Sequence, residues 1–173
     1  LMAGIVTGCG EKVSDEELIR EAIVEELDGI KNLEDETLEE MGVEDLAAQL
    51  EPMGIDGEEF MKTYLDGFDY TVGDIKVDGE KATASITLKI KSFNSINTEM
   101  QNVSADMLGD ADELAEMSED ELMVKMGEVI MGIIEKTELK ETDPIEISYE
   151  LKDKVWTATT GSEQNITNAM LSI

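Results

Sequence analysis

The side chains in this chain that could ligate or catalyse are almost all carboxylates. Its 173 residues hold 42 Asp and Glu against 13 Lys and Arg, a formal net charge of −29, with no histidine and a single cysteine. The lack of histidine removes the commonest general base and the commonest metal ligand together. Acids are densest at Asp106, Asp110, Asp112, Glu113, Glu116, Glu119, Asp120 and Glu121. Such a run gathers cations. No window, however, offers the alternating Asp or Asn, central Gly and twelfth-position Glu of an EF-hand. The spacing therefore predicts diffuse cation association, with no structured metal site and no cofactor. Carboxylate pairs could hydrolyse a glycoside, but in so acidic a chain pairs arise from composition alone. The aromatic residues Tyr64, Phe68, Tyr70, Tyr149 and Trp156 either line a ligand pocket or fill the core, and large apolar side chains more often do the latter. The eleven methionines read as adaptable core filler.

The elements that would position these groups are legible from periodicity. From Ala82 to Lys91 the alternation is unbroken: Ala82, Ala84, Ile86, Leu88 and Ile90 point one way, and Thr83, Ser85, Thr87, Lys89 and Lys91 the other. That is a strand buried on one face. Asp78-Gly79 supplies the turn of a hairpin spanning Tyr70 to Phe93. A two-residue loop pairs Ile75 with Ala82, a four-residue loop pairs Val77 with Ala82, and both keep the same sidedness. A second hairpin runs from Ile145 to Leu151 and from Val155 to Thr160, and a two-residue turn sets Leu151 opposite Trp156. Ser14-Asp15-Glu16-Glu17 and Ser118-Glu119-Asp120-Glu121 each read as a capping box opening an amphipathic helix. Further helices fit Asp35–Met41, Val43–Leu50, Asp56–Phe68 and the stretch from Met100 to Leu114. Ser162–Ile173 is a short helix or a frayed tail.

The whole is α+β: a four-stranded antiparallel sheet made of two hairpins, with one face covered by amphipathic helices that include Leu122–Glu135. Ile75, Ala84, Ile86, Leu88, Ile147, Tyr149 and Trp156 should be core. Thr83, Ser85, Thr87, Lys89 and Lys91 should stay exposed and form the candidate interaction face. Charge follows the elements. Ser14–Asp69 carries 20 acids and 3 bases, whereas Tyr70–Phe93 carries 3 acids and 4 bases. A body so negative repels nucleic acid, and a nucleic-acid partner is excluded on that ground.

The first residues differ in character from the rest. Leu1 to Gly8 (LMAGIVTG) are apolar and small, and they end at Cys9. Val6-Thr7-Gly8-Cys9 resembles the end of a bacterial lipoprotein signal peptide, with an aliphatic residue at −3, small residues at −2 and −1, then the cysteine to be lipidated. Residues 1–8 are then the signal-peptide remnant, 9–13 the lipidated Cys9 and a short tether, and 14–173 a single domain. The other reading of Cys9 is a free buried thiol after a short apolar strand.

The lipobox, the first helix, the "GDIKVDGEKATASITLKI" hairpin and the "IEISYELKDKVWTAT" hairpin together resemble small Gram-positive lipoproteins of unknown function with an NTF2-like or cystatin-like domain. The helical insertion between Asn94 and Lys140 is longer than in compact members. The resemblance implies attachment to the bacterial cell membrane through Cys9 on the extracytoplasmic side. It implies a binding or interaction module whose partner is an envelope protein or a small ligand, and it carries over no catalytic residues. The alternative class is an extracytoplasmic carboxylate-based hydrolase. An open pocket holding a polar group of perturbed pKa favours the enzyme, and a filled core with a bare polar sheet face favours interaction.

Overall fold

Ser14 starts the first helix in the way its neighbours dictate. In the computed structural model, which describes residues 5–6, 13–40, 43–103 and 111–173, helix α1 spans Asp15–Lys31. The Ser14 hydroxyl accepts from the Glu17 amide, and the Glu17 carboxylate accepts from the Ser14 amide at 3.1 Å. Both orphan donors of the helix start are thereby satisfied. Its apolar stripe, Ile19, Ile23 and Leu27, is buried. Helices α2 (Asp35–Glu40), α3 (Val43–Leu50) and α4 (Gly57–Tyr64) follow, with a 3-10 turn at Glu51–Met53 where Pro52 interrupts the pattern.

Strand β1 (Ile5–Val6) is two residues long, and β2 (Asp69–Asp78) and β3 (Lys81–Lys91) form the long hairpin. The hairpin pairs Val77 with Ala82, yet through a two-residue turn instead of a four-residue loop: Asp78 pairs with Lys81, so the turn is Gly79-Glu80, one residue beyond the expected Asp78-Gly79, with Gly79 at φ 65°. A bulge between Val72 and Ile75 brings both residues to the core side although they are three apart. The guanidinium of Arg20, the chain's only arginine, donates to the Val72 and Gly73 carbonyls at 3.2 and 3.0 Å. It thereby supplies donors to the backbone carbonyls beside the bulge, on a strand at the sheet edge.

Beyond β3 come α5 (Phe93–Gln101), α6 (Ala111–Glu116), α7 (Glu119–Lys136) and β4 (Leu139–Glu141). The second hairpin, β5 (Ile145–Lys152) and β6 (Val155–Ala158), leads to the terminal helix α8 (Thr160–Ser172). The sheet is antiparallel in the order β1-β6-β5-β3-β2, with β4 paired to the end of β3. Its centre is the two hairpins side by side. The core lies between one face and α1, α4 and the turn before β2, and it contains Ile86, Leu88, Ile147, Tyr149 and Trp156.

The sheet is larger than the four strands expected, because the short β1 and β4 add to the two hairpins. Three further expectations are corrected. Helix α7 does not cover the sheet. Its Ile133 and Ile134 join Ile96 of α5 in a separate small cluster, and its Gly127 lies against the Met53 carbonyl of the 3-10 turn, where a β-carbon would collide. Its Leu122, Met123 and Val124 are exposed. The second hairpin ends at Ala158 instead of Thr160, because Thr159 is the cap of α8. There the buried Ser162 hydroxyl accepts from the Ser148 amide at 2.8 Å, taking over where β6 stops. The third correction concerns Lys91.

Candidate functional site

The polar face of β3 is a strip of hydroxyls between strands. Thr83, Ser85 and Thr87 are half-buried, and Lys89 is exposed. Their cross-strand partners are Ser148 and Glu146 on β5 and Thr71 on β2. Lys89 stands between two acids in register, Asp69 on β2 and Glu141 on β4. Hydroxyl donors and acceptors alternating on a rigid sheet suit a polar partner, and nothing in the strip activates a nucleophile.

Lys91 departs from this face. It is 4 % exposed, and its ammonium donates to the Ile134 and Glu135 carbonyls at 2.9 and 3.2 Å. Those carbonyls are among the last of α7, where the helix dipole favours a cation, and the Ile134 carbonyl accepts from the Thr137 amide as well. The alternation therefore stops at Ile90, since the residue after it serves as a clamp on a helix end. Lys91 does not belong to an interaction surface.

The five aromatic side chains sit in or beside the core. Phe68, Tyr149 and Trp156 are buried, while Tyr64 and Tyr70 are half-buried and packed against it. The Trp156 indole donates to Asp15 in the first turn of α1 at 3.0 Å. Tyr70 donates to Asp28 at 2.7 Å, and beside it Lys31 pairs with Asp69 at 2.8 Å. Burial, reinforced by the Asp28 carboxylate, pushes Tyr70 up to about 12. Burial also raises Tyr149, aided by the charge of Glu26, and raises Tyr64. These are the chain's three tyrosines. A phenol raised in the folded state binds its proton when the unfolded chain has lost it, so stability is full below the unfolded value of about 10 and declines as pH rises toward 12. Ultraviolet titration of the folded protein should show Tyr70 and Tyr149 still protonated at pH 10, with Tyr64 ionising above its ordinary value. Half-ionisation of Tyr70 and Tyr149 at pH 10 would contradict the packing around them.

Two surface grooves flank α7. One, of about 680 Å³, is lined by Ser95 and Glu99 of α5, Lys125 and Lys136 of α7, and Lys140 of β4, among others. The other, of about 590 Å³, is lined by Glu59, Asp66 and Glu135, with Lys91 at its edge. Gly132 borders both, and a β-carbon there would meet nothing within 4 Å. Neither groove holds any of the five aromatic residues. Among the described residues, no three Asp, Glu or Cys side chains converge as a metal site would require. Cys9, Asp106 and Asp110 lie outside the described residues. Among those described, no helix is long and apolar enough to cross a membrane.

The comparisons with known proteins are sparse. No protein-family model matches the chain, and no curated protein matches it. Among solved structures it is similar to YcdA of Bacillus subtilis, described as a "putative lipoprotein", with a TM-score of 0.50 and 14 % identity, covering 91 % of this chain and 50 % of that one. At that identity the likeness is one of fold. The chain spans about half the length of that structure.

Proposed function

We propose that the chain is a bacterial envelope lipoprotein, held on the extracytoplasmic side of the cell membrane by lipidated Cys9, whose domain binds a partner through the polar face of its sheet. Val6-Thr7-Gly8-Cys9 supports the anchor, and so does the description carried by the Bacillus subtilis neighbour. Two acyl chains on one cysteine give stable attachment where a single chain is marginal. Processing at Gly8-Cys9 removes β1 and leaves β6 as the sheet edge, only four residues long, and short edges resist unwanted pairing. We read the domain as NTF2-like or cystatin-like with an enlarged helical insertion.

The observation that carries binding over catalysis is the filled core beside a polar face that stays partly open to solvent. Trp156, Tyr149 and Phe68 occupy the space an enclosed ligand would need, while Thr83, Ser85, Thr87 and Lys89 keep some access to solvent. The groups with displaced pKa values are core-packed tyrosines, surface ion pairs and the capping carboxylate of Glu121, and each has a structural role. Two variants test the proposal in cells. Cys9→Ala should abolish labelling by a palmitate analogue, and undiminished labelling would remove the anchor. Lys89→Glu should leave the fold intact and weaken crosslinks to envelope partners. Crosslinks that map to Asp112–Glu121 and ignore Lys89 would move the binding surface to the helices.

A further inference from the structure

Both hairpin turns lie at one end of the sheet. β2 and β3 turn at Gly79 and Glu80, β5 and β6 at Asp153 and Lys154, and the Leu151 amide donates to the Glu80 carbonyl at 2.8 Å, joining the two tips. Helix α1 begins at this same end. Asp15 in its first turn holds the indole of Trp156, which stands two residues beyond Lys154. At the other end of α1, Lys31 reaches Asp69, the first residue of β2 and so the point farthest from its tip. The chain therefore enters the domain beside the hairpin tips. β1 runs toward them as well, with Ile5 opposite Trp156 and Val6 opposite Val155.

Covalent geometry then confines the anchor. Four residue steps separate Cys9 from Val13, at most about 15 Å of extended chain. That reach is less than two Debye lengths of about 8 Å each at physiological salt, so whichever surface adjoins the anchor feels the lipid charge.

The charge on the domain distinguishes its ends. Lys76 to Lys81 holds two acids and two bases, and Glu150 to Lys154 likewise, so both tips are neutral in a chain of net charge −29. The stretch from Glu34 to Asp66 holds twelve acids and one base. It leaves the sheet where α1 ends and returns to it at Asp69, so both its ends lie away from the tips. The first turn of α1 adds three acids to this end, Asp15, Glu16 and Glu17, which still leaves it far less negative than the Glu34–Asp66 stretch.

Building on the lipid-anchor reading, we infer that the hairpin-tip end faces the lipid surface, with Lys76, Lys81, Lys152 and Lys154 against the phosphate headgroups and the acid-rich α2–α4 region directed away. The strands then stand upright on the membrane. The polar face is presented sideways, and Lys89, near the far end of β3, is held off the bilayer where a neighbouring envelope protein can reach it.

Cys9 is the chain's only thiol, so the full chain can be coupled at that residue to a maleimide-bearing lipid in phosphatidylcholine/phosphatidylglycerol vesicles. A soluble maleimide adduct serves as the reference. Lysine acetylation by an N-hydroxysuccinimide ester, read by mass spectrometry, reports which ammonium groups the bilayer shields. Labelling of Lys76, Lys81, Lys152 and Lys154 should fall several-fold on vesicles, while Lys62 of α4 and Lys125 of α7 label as in the reference. Shielding of Lys62 or Lys125 in place of the tips, or no difference between the two samples, overturns the orientation. The tether is chemical, so this result is independent of whether cells acylate Cys9, which the Cys9→Ala labelling decides.

Discussion

Replacing Lys91 by Glu should destabilise the domain by about 3–5 kcal/mol, the range for a buried charge stripped of its compensation. The wild-type ammonium is almost wholly removed from water and donates to two carbonyls at the end of α7. A carboxylate there has no proton to donate and faces acceptors and the negative end of the helix dipole. Lys91→Met keeps the apolar stem and loses only the donors, which should cost about 1–3 kcal/mol, chiefly at the Glu135 carbonyl, since the Thr137 amide still donates to Ile134. Against a total stability of roughly 5–15 kcal/mol the first change leaves little margin. Urea unfolding followed by Trp156 fluorescence measures both. If Lys91→Glu unfolds within about 0.5 kcal/mol of wild type, the range of ordinary surface substitutions, Lys91 is a surface residue and the clamp on α7 does not exist.

That residue also shows where a sequence stops informing. Period two marks β3 from Ala82 onward and would make Lys91 one more outward residue. Only the C-terminal end of α7, more than 40 residues later in the chain, turns it inward. Amphipathicity announced that α7 buries a face without saying against what. The sheet was the natural guess, yet the 3-10 turn and α5 are the partners, and Gly127, small enough for the Met53 carbonyl to approach, was the residue that could have shown it. Gly73 inside β2 was a readable sign of a bulge, since glycine in a strand marks such sites. β4, three residues long, is too short to carry any period. By contrast, the two capping boxes follow from local rules and form where those rules place them, and both hairpins form too, the first with its turn one residue later and the second with a shorter final strand. The candidate interaction strip was legible as far as Lys89 for the same reason. Why a partner would bind there was not, because hydroxyls on a sheet look the same whether or not they are used.

Trp156→Ala should cost about 3–5 kcal/mol through the cavity it leaves. The indole is fully buried between the sheet and α1, and its N–H is bonded to Asp15 at the point where the chain enters the domain. Trp156→Phe fills most of the space and forfeits that hydrogen bond, worth about 1 kcal/mol. The order of stability should therefore be wild type, then Phe, then Ala, by circular dichroism, since the fluorescent probe is gone. A loss below about 1 kcal/mol for Ala, far under the range for truncating a buried tryptophan, would mean that α1 and the second hairpin are not docked through this residue.

The central claim is that Cys9 becomes the lipidated first residue of a mature envelope protein, and the mass of its N-terminal peptide tests it most directly. The gene is expressed in a bacterium with lipoprotein-processing enzymes, the membrane fraction is digested, and the N-terminal peptide is measured intact. The account predicts a peptide beginning at Cys9 with two or more acyl chains on it and no peptide spanning Gly8-Cys9. Recovery of an unmodified peptide running from Val6 through Cys9 would contradict it, and would make β1 a permanent edge strand of the folded protein.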